Sequence, residues 1–225
     1  MHAADPPVPD LQALLRTLRV WDTDLPAFDP ATAPDAPLPL FLRWFAAAVD
    51  AGQPEPHTPS LATTDAEGRA DVRTVMLHGA DDTHGFRFAS HSGSAKGRQL
   101  AARPYAALGF YWPVQGRQVR VRGPVRTAPA DVAHRDLHAR STGALASALV
   151  GHQSQPLASY EELEHASDAA WERARREPDA MAPSWTVYDL APDEVEFFQG
   201  DARRRHIRLK YRRVDGNWLR ELLWP

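Results

Sequence analysis

Basic and polar side chains that could bind an anion or a polar ring fall into four stretches of the sequence. The first is RTVMLH, from Arg73 to His78, in a strand predicted over residues 71–78. Because side chains alternate along a strand, Arg73 would lie on one face and His78 on the other. Taken alone, this stretch is more typical of an ordinary barrel strand with one exposed arginine.

The second and third stretches add a cation and an amide. Ser94 precedes a predicted helix over residues 95–102 that carries Lys96 in its first turn, and the free N–H groups of a helix start favour a phosphate. Gln118 lies on a strand predicted over residues 117–127, where its amide can donate and accept hydrogen bonds, as the edge of a heterocyclic ring requires. A capped surface helix and a solvated strand face are the simpler interpretations.

The fourth stretch, GDARRRHIRLKY, runs from Gly200 to Tyr211. In a strand predicted over residues 204–214, its apolar residues would face a core and its basic residues would form a cationic stripe. Since the whole chain has a net charge of -3, so much local positive charge indicates an anion such as a phosphate or a carboxylate. A solvated or nucleic-acid-facing strand is the competing interpretation.

Composition excludes several kinds of site. The 225 residues contain no cysteine, so disulfides, zinc–thiolate sites and cysteine nucleophiles are excluded, and no metal site is expected. The acidic net charge argues against a nucleic-acid-binding domain. Residues 1–9 carry no basic region and no apolar run, so neither a signal peptide nor a membrane partner is expected, and the location would be cytoplasmic.

The order of the predicted elements favours an antiparallel β fold. A helix that begins at Asp10 and a proline-rich linker over residues 24–39 precede a helix over residues 40–51. The predicted strands are residues 60–64, 71–78, 86–90, 105–112, 117–127, 184–190, 194–199, 204–214 and 218–224, with helical segments at 95–102, 130–149 and 159–176. Strands and helices do not alternate, and no glycine-rich phosphate loop is present, so side chains would have to bind any phosphate.

Together the residues resemble the pyridoxamine 5′-phosphate oxidase family from about Phe28 to Pro225. The matching stretches are PEPHTPSLATTDAEGRADVRTVML, GSAKGRQLAARPYAALGFYW, GRQVRVRGPV, HQSQPLAS, PDEVEFFQGDARRRHIRLKYRR and LLWP. The resemblance implies a mainly β fold with flanking helices, namely the six-stranded antiparallel split β-barrel that binds FMN. That barrel would cover residues 37–225, behind a helix and linker arm (residues 1–36). The resemblance also implies a homodimer with FMN bound in clefts at its interface.

The resemblance assigns the cofactor site residue by residue. The FMN-binding positions would be Arg73, Thr74, Val75, Met76, Ala89, Ser90, Lys96, Gln118, Gln153, Ser154, Phe198 and Arg208. Three positions depart from the family pattern. Ala89-Ser90 stands where the family has Tyr-Thr. Ala95 replaces the family's arginine before Lys96, and Phe198 replaces its tryptophan.

The substrate site departs further. The family binds the substrate phosphate with a Lys, a Tyr, an Arg and a Ser, whereas these positions read His78, Asp136, Arg140 and Ala144 in this sequence. An aspartate beside a phosphate dianion is repulsive unless it is paired. Arg204 and His206 keep the positions that orient the substrate over the flavin, and they are the expected catalytic residues.

The resemblance implies an FMN-dependent oxidase that transfers a hydride from a small-molecule substrate to flavin N5, with O2 as acceptor. A second hypothesis keeps the flavin and changes the substrate, as in the related phenazine-biosynthesis oxidases, which act on a tricyclic carboxylate. A flavin-binding protein without turnover and a nucleic-acid binder are the third and fourth hypotheses. The altered phosphate positions predict that pyridoxine and pyridoxamine 5′-phosphates are poor substrates.

Overall fold

The computed structural model describes residues 10–21 and 24–225. Residues 1–9 and 22–23 of the predicted arm lie outside the described residues. The expectation that residues 1–9 form no signal peptide therefore concerns residues that the structure does not describe. The α-helices described are α1 (Leu11–Thr17), α2 (Pro37–Asp50), α3 (Ala95–Ala102), α4 (Ala130–His138), α5 (Thr142–Val150) and α6 (Tyr160–Arg176). None of these helices combines the length and the apolarity that a membrane crossing requires.

The strands of the described residues pair antiparallel in one ten-stranded sheet. They are β1 (Ser60–Thr64), β2 (Ala70–Thr74), β3 (Leu77–Asp81), β4 (Gly85–His91), β5 (Tyr105–Trp112), β6 (Arg117–Thr127), β7 (Trp185–Leu190), β8 (Glu194–Gln199), β9 (Ile207–Val214) and β10 (Asn217–Leu223). The main order is β10-β9-β8-β6-β5-β1-β2, while β7 pairs with β6 and β4, and β4 pairs with β3. The mainly β, antiparallel prediction is confirmed.

The predicted count of six strands and the expected barrel are corrected by this topology. The sheet has ten strands and does not close into a barrel. Strand β6 divides one edge between two partners, since residues 117–122 pair with β8 and residues 125–127 pair with β7. The sheet therefore divides into two parts that share β6. One part continues through β8, and the other continues through β7 to β4 and β3.

Two predicted elements are broken, and both breaks lie at the site. The strand predicted over residues 71–78 is interrupted between Thr74 and Leu77, because Val75 N–H and Leu77 N–H turn to the carbonyls of Pro59 (3.0 Å) and His57 (2.8 Å). The helical segment over residues 130–149 stops at His138 and restarts at Thr142. It restarts because Ser141 caps α5 by accepting a hydrogen bond from the Ala144 N–H at 3.3 Å.

The core lies between α2 and the sheet. Leu40, Phe41, Trp44 and Ala48 are buried on one face of α2, the spacing of an amphipathic helix. The Phe41 ring lies 4.8 Å from the ring of Phe86 and 5.1 Å from that of Phe110, counted between centroids. This packing fixes the strands that carry the site.

Candidate active site

A cavity of about 770 Å³ collects one group of the predicted site residues. Its lining includes Arg73, Thr74, Val75, Met76, His78, Ala89, Ser90, Lys96, Arg140, Ala144 and Gln153. Arg73 and Thr74 are neighbours in β2, and the strand breaks directly after Thr74. The bend lets consecutive residues of both faces line one cavity.

The cationic end of this cavity is built around Lys96. Ser94 caps α3 by accepting the Gly97 N–H at 3.2 Å, as predicted. The Lys96 ammonium donates to the Ser90 hydroxyl at 3.1 Å and to the Gln153 side-chain oxygen at 3.4 Å. Among the described residues no carboxylate lies within ion-pair distance of Lys96. Burial, and then the nearby charge of Arg73, lower the pKa of Lys96, so this end of the cavity is suited to an anion.

The guanidinium of Arg73 is held in place by groups on β1, β2 and α3. The guanidinium donates to the Gln99 side-chain oxygen at 3.0 Å and to the Leu61 carbonyl at 3.3 Å. It also donates to the Thr63 hydroxyl and forms an ion pair with the Asp71 carboxylate. Arg73 therefore presents a positioned rather than a mobile cation beside Lys96. Ser154, the other predicted polar contact, does not line the cavity and is exposed in the loop after Gln153.

The four predicted substrate residues also meet here, as an internally paired cluster. Asp136 on α4 accepts hydrogen bonds from His78 Nδ1 (3.1 Å), from the Arg140 guanidinium (3.2 Å) and from Trp185 Nε1 (3.1 Å). His78 is the extra residue of a β-bulge between β3 and β4, and a bulge re-aims a side chain. Ala144 lines the wall beside them.

The electrostatics of this cluster follow from the pairing. Burial alone would raise the pKa of the Asp136 carboxyl, but the hydrogen bonds from His78 and Arg140 outweigh burial and hold the pKa well below its usual range. Asp136 is thus an anion that already occupies Arg140, the one basic residue that the resemblance assigns to the substrate phosphate. A phosphate placed here would compete with Asp136 for Arg140.

A second group of predicted residues lies on the β6-β8-β9 part of the sheet. Gln118 stands opposite Phe198, and Phe198 stands opposite Arg208, in the strand register. None of these three residues lines the cavity that contains Lys96. The predicted FMN contacts therefore fall into two separate groups within one chain.

The predicted catalytic residues sit in a turn, not on a strand as expected. Strand β9 begins at Ile207, because the Asp201 carboxylate accepts the N–H groups of Arg203 (2.7 Å) and Arg205 (3.4 Å) and closes a turn. Arg204 adopts a left-handed conformation with φ 62° in this turn. His206 Nδ1 accepts the Asp201 N–H at 3.0 Å, so the neutral ring carries its proton on Nε2.

The expected cationic stripe on β9 is neutralised by its neighbours. Arg208 donates to Glu196 of β8 at 2.7 Å, and Lys210 pairs with Glu221 of β10 at 2.8 Å. The Glu196 bond raises the pKa of Arg208. Arg208 and Lys210 alternate with apolar residues on β9 as predicted, but acidic residues on the adjacent strands, which the sequence prediction did not consider, neutralise their charge.

Comparison with known proteins decides the family. Residues 45–174 match the family model described as pyridoxamine 5′-phosphate oxidase, and residues 185–225 match the pyridoxine 5′-phosphate oxidase C-terminal dimerisation region. The pyridoxine/pyridoxamine 5′-phosphate oxidase of Pseudomonas syringae pv. syringae (strain B728a) is 41% identical over 197 residues, which are 87% of this chain and 91% of the relative.

This chain belongs to the pyridoxamine 5′-phosphate oxidase family. A second relative, the pyridoxine/pyridoxamine 5′-phosphate oxidase of Pseudomonas fluorescens (strain SBW25), is 41% identical over 216 residues, covering 95% of this chain and 99% of the relative. Among solved structures, PhzG from Burkholderia lata 383 in complex with tetrahydrophenazine-1-carboxylic acid matches with a TM-score of 0.82 and 29% identity. That match covers 89% of this chain and 99% of PhzG. The family binds FMN, so the predicted family, enzyme class and cofactor are confirmed at that level.

Two residues of this oxidase fold were missed by sequence reasoning. Trp185 donates to Asp136 and lines the cavity, but in the sequence it is only an aromatic residue at the start of a strand. Trp21 of the N-terminal arm packs against Phe198 and His206. A lone tryptophan before a proline-rich linker was the signal available for it.

Proposed function

We propose that this chain is an FMN-dependent oxidase whose substrate is a small ring compound without a phosphate dianion. The observation that carries the substrate assignment is the pairing of Asp136 with His78, Arg140 and Trp185, at the position that the resemblance assigns to the substrate phosphate. The likeness to PhzG, solved with a ring carboxylate, supports the same assignment. The names of the curated relatives favour a second candidate, pyridoxine/pyridoxamine 5′-phosphate oxidase.

The residues present fit FMN. Lys96 and Arg73 form a half-buried cationic pair at one end of an open cavity, and Ser90 and Gln153 add polar atoms beside Lys96. Such a constellation suits the FMN phosphate, because hydrogen bonds from charged donors to phosphate oxygens are among the stronger ones in proteins. Phe198 and Gln118 offer a flat apolar surface and an amide for the ring.

We propose that each flavin site is shared between two subunits of a homodimer. The Lys96 cavity and the Gln118–Phe198–Arg208 face are separate in one chain, so a symmetric dimer could bring one of each together at two equivalent sites. The match of residues 185–225 to a dimerisation region supports this arrangement, because that region contains Phe198 and Arg208.

In the proposed reaction the protein binds and orients, and the cofactor supplies the redox chemistry. Bound FMN would accept a hydride from the substrate carbon at N5, with O2 as the final electron acceptor. His206, with its proton on Nε2, would donate a hydrogen bond to the substrate, and Arg204 would pair with an anionic group. Asp136 would exclude a phosphate from the far end of the cavity.

The test is anaerobic reduction of the purified, FMN-loaded chain. Pyridoxamine 5′-phosphate and pyridoxine 5′-phosphate should bleach the flavin slowly, and in air their steady-state oxidation should have a kcat/KM well below about 10⁴ M⁻¹s⁻¹. A dihydro-ring carboxylate such as a dihydrophenazine carboxylic acid should bleach it faster. An efficiency of about 10⁴ M⁻¹s⁻¹ or more on the vitamin phosphates would establish the second candidate instead.

The control variant restores the family's phosphate positions. His78→Lys, Asp136→Tyr and Ala144→Ser together should raise turnover of pyridoxamine 5′-phosphate without changing FMN content. They replace an internal anion with donors, and binding energy from a remote phosphate also positions the reacting carbon. A chain that takes up no FMN would refute the oxidase assignment itself.

A further inference from the structure

The turn that carries Arg204 and His206 is closed at its base by one residue pair. Gln199 ends β8 and stands opposite Ile207, the first residue of β9, in the strand register. On its other side Gln199 stands opposite Arg117, the first residue of β6. Gln199 therefore lies where the turn leaves the sheet.

A buried polar network holds the Gln199 side chain. Arg117, Gln199 and Gln115 have only 6%, 3% and 8% of their surface exposed. Arg117 Nε donates to Gln199 Oε1 at 2.9 Å, and Arg117 Nη1 donates to Gln115 Oε1 at 3.3 Å. The guanidinium carbon lies 4.3 Å from the ring centre of Trp44, and Gln115 Nε2 donates to the Ala47 carbonyl at 2.9 Å. The network is thus anchored to α2.

Arg117 determines which way the Gln199 amide points. Burial lowers the pKa of Arg117 to about 10, so it is a cation near neutral pH and has only N–H donors to offer. The amide oxygen of Gln199 therefore faces the guanidinium. Its amide nitrogen faces the other way and donates to the Gln115 carbonyl at 3.0 Å and to the Gly200 carbonyl at 3.3 Å. A reversed amide would set N–H against N–H and oxygen against oxygen.

The Gly200 carbonyl belongs to the same peptide group as the Asp201 N–H. Because a trans peptide group is planar, holding its carbonyl on one side directs its N–H to the opposite side. The Asp201 N–H donates to His206 Nδ1 at 3.0 Å, which leaves the proton of the neutral ring on Nε2. One peptide group therefore links Gln199 to the His206 ring through two hydrogen bonds.

We propose that Gln199 is a positioning residue that fixes the tautomer and orientation of His206 through the Gly200–Asp201 peptide, and that Arg117 fixes Gln199 in turn. The inference rests on the proposed function, in which His206 donates from Nε2 to the substrate. A reoriented peptide would withdraw its N–H from Nδ1, and the ring proton would then distribute between both nitrogens.

The direct test is the nitrogen-15 NMR spectrum of the His206 ring in the FMN-loaded protein at about pH 8.5, above the ordinary pKa of histidine. The signals that disappear in His206→Gln assign the ring. Wild-type protein should show one tautomer, protonated on Nε2. Gln199→Glu keeps an acceptor for Arg117 but loses the donor to Gly200, so it should show both tautomers. The uncharged Gln199→Met should show both as well.

Tyr211→Phe is the matched control for the loss of a buried hydrogen bond. Tyr211 is buried on β9, and its hydroxyl donates to the Pro34 carbonyl at 2.8 Å. Neither residue belongs to the turn. Tyr211→Phe should lower the stability of the protein, as Gln199→Met does, but should keep the single tautomer of His206.

Anaerobic flavin reduction measures the consequence for the reaction. The probe is a dihydrophenazine carboxylic acid or pyridoxamine 5′-phosphate, whichever reduces the wild-type protein faster. At saturating probe, Gln199→Glu should slow reduction about tenfold or more, because a misplaced donor no longer orients the reacting carbon. FMN content should not change, and Tyr211→Phe should reduce at the wild-type rate.

The outcomes separate this inference from the proposed function. A single tautomer in both Gln199 variants would overturn the inference, since Gln199 would then only support the fold. Mixed tautomers in Tyr211→Phe would also overturn it, because any loss of stability would then release the ring. Mixed tautomers in the Gln199 variants with an unchanged reduction rate would support the coupling and contradict the role of His206 in the proposed function.

Discussion

At the scale of single residues, Asp136 is the anion around which the proposed substrate end of the cavity is paired. Its carboxylate is the shared acceptor for His78, Arg140 and Trp185. Asp136→Asn should lower the free energy of unfolding by about 1–3 kcal/mol, since it leaves partly buried donors with a neutral acceptor. Urea unfolding near neutral pH measures this difference.

The pH dependence of that difference follows from the lowered pKa of Asp136. A carboxyl whose pKa is lower in the folded than in the unfolded chain stabilises the fold fully above its unfolded pKa and loses that contribution as the pH falls through the folded one. The gap between wild type and Asp136→Asn should therefore be constant above about pH 5 and shrink below about pH 4. A gap that grows on acidification would contradict the pairing.

At the scale of elements, β8, β9 and β10 form a ladder of alternating charge. Glu196 has a side-chain exposure of 7% and pairs with Arg208 on one side and with Arg120 on the other. Arg212 is 44% exposed and lies 3.7 Å from Glu221. Arg208 and Arg212 share β9, but Arg208 pairs with the buried carboxylate of Glu196 whereas Arg212 lies beside the more exposed carboxylate of Glu221.

Arg208→Ala should lower the free energy of unfolding by about 1–3 kcal/mol, because a buried carboxylate loses a charged donor. It should also weaken FMN binding about ten- to a hundredfold if Arg208 contacts the cofactor as proposed. Arg212→Ala, the matched change on the same strand, should alter stability by about 0.5 kcal/mol or less. Equal effects of the two variants would show that the ladder acts only through its total charge.

Elements were predictable from the sequence wherever local chemistry defines them. Strands β1, β5, β6 and β8 lie where the alternating pattern places them, and Ser159 caps α6 by accepting the Glu162 N–H at 3.1 Å. Asp215 and Gly216, with φ 49° and 82°, form the predicted two-residue hairpin turn. These features need no information from elsewhere in the chain.

The site was predictable in its residue types but not in its geometry. The break between Thr74 and Leu77 depends on carbonyls of residues 57 and 59, which no local pattern links to it. The pairing of His78 with Asp136 joins residues 58 apart in the chain. The family resemblance identified both residues, whereas only the tertiary fold shows that they neutralise one another.

At the scale of the whole molecule, the two half-sites predict complementation between damaged subunits. Lys96→Met damages the cavity half-site and Gln118→Ala damages the sheet half-site, so each homodimer should bind FMN weakly. After the two variants are mixed and allowed to exchange subunits, each mixed dimer should hold one site with both lesions and one site with neither. An FMN titration should then show a class of sites with wild-type affinity.

A site formed within one subunit would give a different result. Every site in the mixture would then carry one lesion, and no class of wild-type affinity would emerge from the titration. Arg98→Met provides the matched control for Lys96→Met, because Arg98 lies on the same helix, is exposed, and does not line the cavity. It should leave FMN affinity unchanged.

The shared strand β6 also constrains how the chain is made. Its edge toward β5 can pair as soon as residue 127 has been synthesised, but its other edge waits for β7 and β8, which begin at Trp185 and Glu194. Until those residues leave the ribosome, the nascent chain presents an open strand edge with apolar Val119 and Val121, a template for aggregation. We therefore expect slower translation between β6 and β8 to lower the yield of folded protein.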